Sequence, residues 1–279
     1  MEIRSKLRGV WTVTGLAALA LAGAGATASG AATKSINLQS AYRATVASTS
    51  ARETVAEAVE SGGKRQTVLV SGVATAQGDG SFSVNVAGQS SDVVVDNGVM
   101  YLKLPPGSGT TLNVTTPWVS LNLSALTQAK LGTSYQQLVS EGQQGPSASL
   151  AILEAASSSG IRRVGTAALF GSSTTEYKTT IDLNKVPGAS GKPALAPVIE
   201  KLESQYHLSS IPITVWLDSQ DRVRRLVEDI GIPSSASHPS ASAVITVNIT
   251  AFDIPVTISP PPPGQSTDVT AQATGSSTA

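Results

Sequence analysis

Over most of its length the chain alternates apolar and polar residues with a period near two, the spacing that sends successive side chains to opposite faces of a strand. Val68, Val70 and Gly72 alternate with Leu69, Ser71 and Val73. After a turn at Gln77-Gly78-Asp79-Gly80, Phe82, Val84 and Val86 alternate with Ser81, Ser83 and Asn85. Val93 to Val95 runs into Asp96-Asn97-Gly98, a strong two-residue hairpin signal. Val99 to Leu104 follows until Pro105-Pro106, and Trp118 to Leu123 is a further short strand. A second hairpin is expected over Arg163–Phe170 and Thr174–Leu183, around Gly171-Ser172-Ser173. Ile213, Val215 and Leu217 then lie opposite Thr214 and Trp216. The turn Asp218-Ser219-Gln220-Asp221 leads to Val223, Arg225 and Val227 against Arg224 and Leu226. Ala243 to Phe252 places Ile245, Val247 and Ile249 on one face.

The period changes in a few places. Leu38, Ala41, Tyr42, Thr45, Val46 and Thr49 have the i, i+3, i+4 spacing of a short amphipathic helix over Ile36–Thr49. Arg52 to Glu60 is ambiguous, because Ala56-Glu57-Ala58 favours helix by propensity while Val55, Glu57 and Val59 alternate. The reading as a strand entering a turn at Gly62-Gly63 is preferred. Ser124–Gly132 and Ser134–Gln143 read as helical or irregular. Pro146 opens a helix carrying Leu150, Ile152, Leu153 and Ala156, and Leu195–Tyr206 forms another with Leu195, Val198, Ile199 and Leu202. The expectation is an α+β chain: one domain over about residues 35–259, a large antiparallel sheet with two or three helices.

Both ends depart from this pattern. Arg4, Lys6 and Arg8 precede an apolar stretch from Val10 to Ala22, and Ala26-Thr27-Ala28 follows as an A-x-A-like site. Residues 1–32 therefore read as a secretory signal peptide cleaved near Ala28, with an uncleaved anchor as the alternative. Residues 260–279, beginning with four prolines and continuing in Ser, Thr and Gly, are too poor in apolar residues to build a core and are expected to be disordered.

Composition narrows the chemistry. Nineteen basic and 19 acidic residues give a formal charge of zero, so no nucleic-acid-binding signature is present. Removing residues 1–28 takes three bases and one acid and leaves −2. There is no cysteine, hence no disulfide, thiolate or Cys-ligated zinc. Polarity comes mostly from 66 Ser and Thr residues. The two histidines, His207 and His238, have no visible partner and read as surface residues. No nucleophile elbow or phosphate-binding glycine loop occurs. Asp218 and Asp221 suggest a cation site or acid pair, but hairpin turns more often use Asp to bind their own backbone. Arg222 and Arg224 share a strand face and read as solvated, with Arg225 on the other side. No catalytic residue, metal ligand or cofactor site is nominated, and the protein is read as a non-enzyme.

The order of these pieces carries a resemblance. Val99-Met100-Tyr101-Leu102-Lys103-Leu104-Pro105 followed by Pro117-Trp118-Val119-Ser120-Leu121 resembles the paired strands of the LppX/LprG lipoprotein family of actinobacteria. Ile161–Thr166 with Thr175–Lys178, Ile211–Asp218 with Asp221–Leu226, and Phe252–Ile258 resemble further blocks in the same order. Together they span most of residues 45–262, and none is catalytic. The resemblance implies a LolA-like fold, a curved antiparallel half-barrel wrapped around helices with an apolar cavity between. It implies a monomer that binds acylated lipid or lipoglycan and moves it across the envelope, with an envelope membrane or a lipid transporter as further partner. The family is usually lipidated on a cysteine. Leu21-Ala22-Gly23-Ala24 has the shape of that motif, but Ala24 stands at the cysteine position, so lipidation cannot occur there. Under this reading the protein is exported, and is either released or held by its N-terminal segment.

Candidate cavity walls are the apolar faces already identified: Val84, Val86, Leu102, Ile213, Val215, Leu217, Val247 and Ile249. The competing expectation is that these residues pack a solid core, making the protein a structural or signalling envelope module.

Overall fold

The structure, a computed structural model, describes residues 36–106, 113–131, 135, 150, 153, 160–185, 204, 208–234 and 240–275. Residues 1–32, both histidines and most of the two expected later helices lie outside these residues, as does the expectation for Ala24.

Twelve strands form one open, curved sheet: β1 (Ser50–Ser61), β2 (Lys64–Thr75), β3 (Gly80–Val86), β4 (Gln89–Asp96), β5 (Val99–Lys103), β6 (Trp118–Asn122), β7 (Arg162–Leu169), β8 (Ser172–Asp182), β9 (Ser210–Leu217), β10 (Val223–Ile232), β11 (Ala241–Phe252) and β12 (Ser266–Asp268). Their order is β12-β6-β5-β4-β3-β2-β1-β11-β10-β9-β8-β7. Two meanders therefore join through the long β1–β11 pair at the centre. All neighbours are antiparallel except β12 and β6. Three helices are described: α1 (Leu38–Val46), α2 (Leu123–Leu131) and α3 (Thr270–Thr274).

The local signals explain the elements. Asn37 caps α1, accepting from the Gln39 and Ser40 amides at 2.9 and 3.3 Å. The ambiguous segment is a strand: β1 pairs along its whole length with β2 and reverses at Gly62-Gly63, both at positive φ. Tertiary pairing on both edges overrides the helical propensity of Ala56-Glu57-Ala58. Asn97 and Gly98 (φ 51° and 75°) make the expected hairpin turn between β4 and β5.

Two expectations fail for definable reasons. Simple alternation puts Val223 and Leu226 on opposite faces of β10. A bulge between Val223 and Arg225 resets the register, and both residues are fully buried in the same core. The segment from residue 260 to 275 is ordered rather than disordered. β12 runs parallel to β6, and the Ser120 carbonyl and the backbone amides of Trp118 and Asn122 all bond to it or to its flanks. Its few apolar residues suffice because they share a core already present: Val269 is buried with Val114, Val119 and Leu121, and Ala273 packs against them.

The core is divided. The largest cluster joins α1 to β8–β11 through Leu38, Ala41, Tyr42, Val215, Leu226 and Ile249, with Leu150 and Leu153 also fully buried in it. A second, smaller cluster holds Ala74, Val95, Leu123 and Tyr135, with Phe82 against it. The third lies under β5, β6 and β12.

Candidate functional site

Strand registers place all eight wall candidates on one face. Leu102 pairs Val93, which pairs Phe82, then Gly72, Glu53 and Ile249 across β5-β4-β3-β2-β1-β11. The next row runs Ser91, Val84, Val70, Val55, Val247, Leu226, Val215. The third runs Gln89, Val86, Val68, Glu57, Ile245, Glu228, Ile213. Leu217 meets Val223 at the far end of β9.

The candidates divide by environment along these rows. Ile213, Val215, Leu217, Val247 and Ile249 are at most 3% exposed and sit inside the main cluster beneath α1. Val84, Val86 and Leu102 are half-buried. Leu102 packs against the third cluster, whereas Val84 and Val86, together with Val93, belong to none of the three clusters formed among the described residues. On β2–β4 the inner face is thus a half-buried apolar strip, flanked on one side by the main cluster and on the other by the two smaller ones. Val70 and Phe82 are its shoulders. Phe82 lies flat because Gly72 and Gly80 leave its ring room: a Cβ on Gly72 would stand 2.7 Å from the Phe82 ring, and one on Gly80 would clash with the ring's far edge.

Sequence reasoning missed the polar residues of this face. Glu53 and Glu57 project from β1 into the same rows, each 5% exposed. Neither makes a hydrogen bond or ion pair among the described residues, and Glu53 Oε2 is buried without a partner. Burial pushes the Glu53 carboxyl up to about 8, and raises Glu57 as well. The signal was present in the alternation of β1, where Glu53 and Glu57 fall in phase with Val55. A single strand, however, does not reveal which of its faces is covered.

The acidic and basic residues at the β9–β10 turn form a closed structural knot. Asp218 Oδ1 accepts from the Gln220 and Arg222 amides at 2.9 and 3.0 Å, the turn role expected of it. Its Oδ2 receives Arg222 Nε at 3.2 Å and Arg224 Nε at 3.0 Å. Both guanidinium groups stack on Phe252, 4.3 and 4.6 Å from its centroid. Arg224 is therefore buried and Arg222 half-buried, and both are paired rather than solvated. Arg225 does occupy the opposite face, bonded to Asn248 and set between the Phe170 and Trp216 rings. No group of three or more potential metal ligands occurs among the described residues.

No protein-family profile matches the chain, and no curated protein matches it in sequence. Among solved structures it is similar to LprF from Mycobacterium bovis, with 17% identity, a TM-score of 0.46, and coverage of 80% of this chain and 94% of that one. Lipoprotein LppX from Mycobacterium tuberculosis matches with 15% identity and a TM-score of 0.45 over 80% and 98% of the two chains. LprF and LppX are proteins of the LppX/LprG type that the sequence blocks resemble. A LolA superfamily protein from Nitrosomonas europaea follows at 8% identity and a TM-score of 0.26, over 80% and 95%. Among the described residues no helix is long and apolar enough to cross a membrane.

Proposed function

We propose that this is an exported cell-envelope protein that binds acylated lipid or lipoglycan between its curved half-barrel and helices and carries it across the envelope without catalysis. The observation that carries this reading is the strip Val84, Val86 and Val93, apolar and half-buried on the inner face yet, among the described residues, packed into none of the cores around it. An uncommitted apolar strip is a place where acyl chain can replace water. Each CH₂ so withdrawn contributes roughly 0.8 kcal/mol, so one long chain supplies most of the affinity a carrier needs. The ordered sequence blocks support the same reading independently.

The proposed wall is narrower than the apolar face as a whole. Val84, Val86 and Leu102 remain as wall residues, while Ile213, Val215, Leu217, Val247 and Ile249 are assigned to the support beneath it. Native mass spectrometry of protein purified from its own envelope tests the proposal. Co-purifying acyl lipid is expected, and protein that is repeatedly empty would overturn the reading in favour of a structural module.

A further inference from the structure

We propose that the outer face of the β7–β8 hairpin, with Arg225 beside it, docks on an anionic phospholipid surface: Arg162, Lys178 and Arg225 meet headgroup phosphates, and Val164 and Phe170 enter the apolar layer beneath them. This goes beyond the lipid-binding reading above, and neither requires the other.

The strand registers bring these residues together on the face opposite the apolar strip. Arg162 pairs Lys178, which pairs Thr214, and the next row runs Gly165, Glu176, Trp216 and Arg225. Arg162 and Lys178 therefore stand directly opposite each other, and like charges in that position destabilise a sheet. An anion held between them removes that cost. Both side chains are exposed, Arg162 has no ion pair among the described residues, and Lys178 reaches Glu176 only at 3.9 Å. Arg225 is oriented but not neutralised. Its Nε donates to Asn248 Oδ1 at 2.6 Å, and its guanidinium lies 5.6 Å from the centroids of both Phe170 and Trp216. The remaining guanidinium N–H groups make no other hydrogen bond among the described residues, and their fork matches a phosphate. The space above Gly165 is open, since a Cβ there would meet nothing within 4 Å.

Phe170 is a second, independent sign. It opens the turn between β7 and β8 at φ 50°, followed by Gly171 at φ 77°. Asn is the residue that such a turn favours, and a bulky ring at positive φ is an outlier. The ring is 40% exposed and belongs to none of the three clusters formed among the described residues. Neither the turn nor a core accounts for an aromatic side chain there. Val164, 42% exposed, stands in the β7 bulge beside Arg163. Aromatic and aliphatic side chains set among bases form the composition that settles at a membrane–water interface, rings at headgroup level and bases on the phosphates. Charge selects the partner. Three bases against Glu176 repel a second copy of the same face, whereas each base adds to the attraction of an anionic lipid surface.

The test uses protein purified from its own envelope, with vesicles of dioleoylphosphatidylcholine alone or in equimolar mixture with dioleoylphosphatidylglycerol. The chain has no cysteine, so Gly165→Cys carries a single polarity-sensitive fluorophore into the open space. Its emission should move to the blue on the mixed vesicles and return in high salt. The same label at Leu69→Cys, on the outer face between Asn85 and Ala56, should not move. In co-sedimentation, Lys178→Thr should weaken binding to mixed vesicles about fivefold, the weight of one base near an anionic surface. Phe170→Asn should weaken it at least as much while its melting temperature holds or rises, because Asn suits the turn. An unmoved label at Gly165, or equal shifts on both vesicles, overturns the proposal, as does unchanged binding in both variants. A marked drop in the melting temperature of Phe170→Asn would assign the ring to the fold and overturn its part in docking. Native protein that self-associates without vesicles, and ceases to in Phe170→Asn, would replace the lipid surface by a second copy. Co-purified acyl lipid is read separately, so failure here leaves the lipid-binding reading standing.

Discussion

Glu53 shows how far a single side chain can bias the molecule. Its carboxyl titrates near 4.5 when exposed and near 8 when buried, with burial as the cause. Below about 4.5 it is protonated in both folded and unfolded chains, and its contribution to stability is fully present. Between 4.5 and 8 the unfolded chain releases the proton that the folded chain retains, so stability falls as pH rises and the loss is complete above 8. The whole shift corresponds to about 5 kcal/mol at most. Glu53→Gln removes the titration. Between pH 5 and 8 the melting temperature of the native chain should therefore drop roughly 10 °C more than that of Glu53→Gln. Parallel melting curves from circular dichroism would show this, and identical pH profiles would mean that Glu53 is not buried in its neutral form.

At the scale of elements, the contact between α1 and the sheet turns on one hydroxyl. Thr45 is 1% exposed, and its Oγ1 donates to the Ala41 carbonyl at 2.7 Å while accepting from the Val223 amide at 2.8 Å. That amide sits at the β10 bulge, where the regular ladder does not supply a partner. Thr45→Val keeps the shape and strands the amide, so it should cost about 1–3 kcal/mol in urea unfolding. A cost near zero would indicate that water or a shifted backbone satisfies Val223. This contact also marks what was legible in the sequence. The helix, its buried residues Leu38, Ala41, Tyr42, Thr45 and Val46, and the β9–β11 strands follow from periodicity alone. The bulge does not, since one extra residue in β10 leaves the alternation readable in two phases. Nor does the burial of Glu53 and Glu57: β1 has Val55 and Val59 in phase with them, but the alternation of one strand does not record which of its faces is covered. The period of the strands is enough to put the eight apolar residues on one sheet face. Their division into packed core and half-buried strip depends on where three separate clusters end, which no local pattern records.

For the molecule as a whole, the problem posed by an open sheet is its two ends. A terminal strand exposes backbone donors and acceptors that invite pairing with another copy. At one end β7 carries the exposed pair Arg162 and Arg163, a bulge between Arg163 and Gly165, and an exposed Val164. Charge and irregularity protect that edge. At the other end β6 is short and apolar in its alternate positions, with Val119 and Leu121 each 2% exposed, and it has no charged residue of its own. Protection there is supplied by the segment from Gln265 to Thr274. β12 pairs with Trp118–Ser120, the Val269 amide reaches the Ser120 carbonyl at 3.0 Å, Thr267 and Thr116 share a hydroxyl bond of 2.7 Å, and Thr270 Oγ1 accepts from the Asn122 amide at 2.9 Å. Ending the chain after Pro262 would remove these bonds together with Val269 and Ala273 from the third cluster. Stability should fall by roughly 2–4 kcal/mol, the combined scale of several hydrogen bonds and one buried valine. More tellingly, the bare β6 edge should pair with itself, so the shortened chain should shift toward dimers and larger species in sedimentation velocity as concentration rises. Asn122→Pro on the full chain removes the amide that Thr270 receives without removing the covering segment, and should lower stability while leaving the sedimentation profile unchanged. If the shortened chain stays as it is at every concentration, β12 is a passenger on the edge and something else in the β6 surface resists pairing.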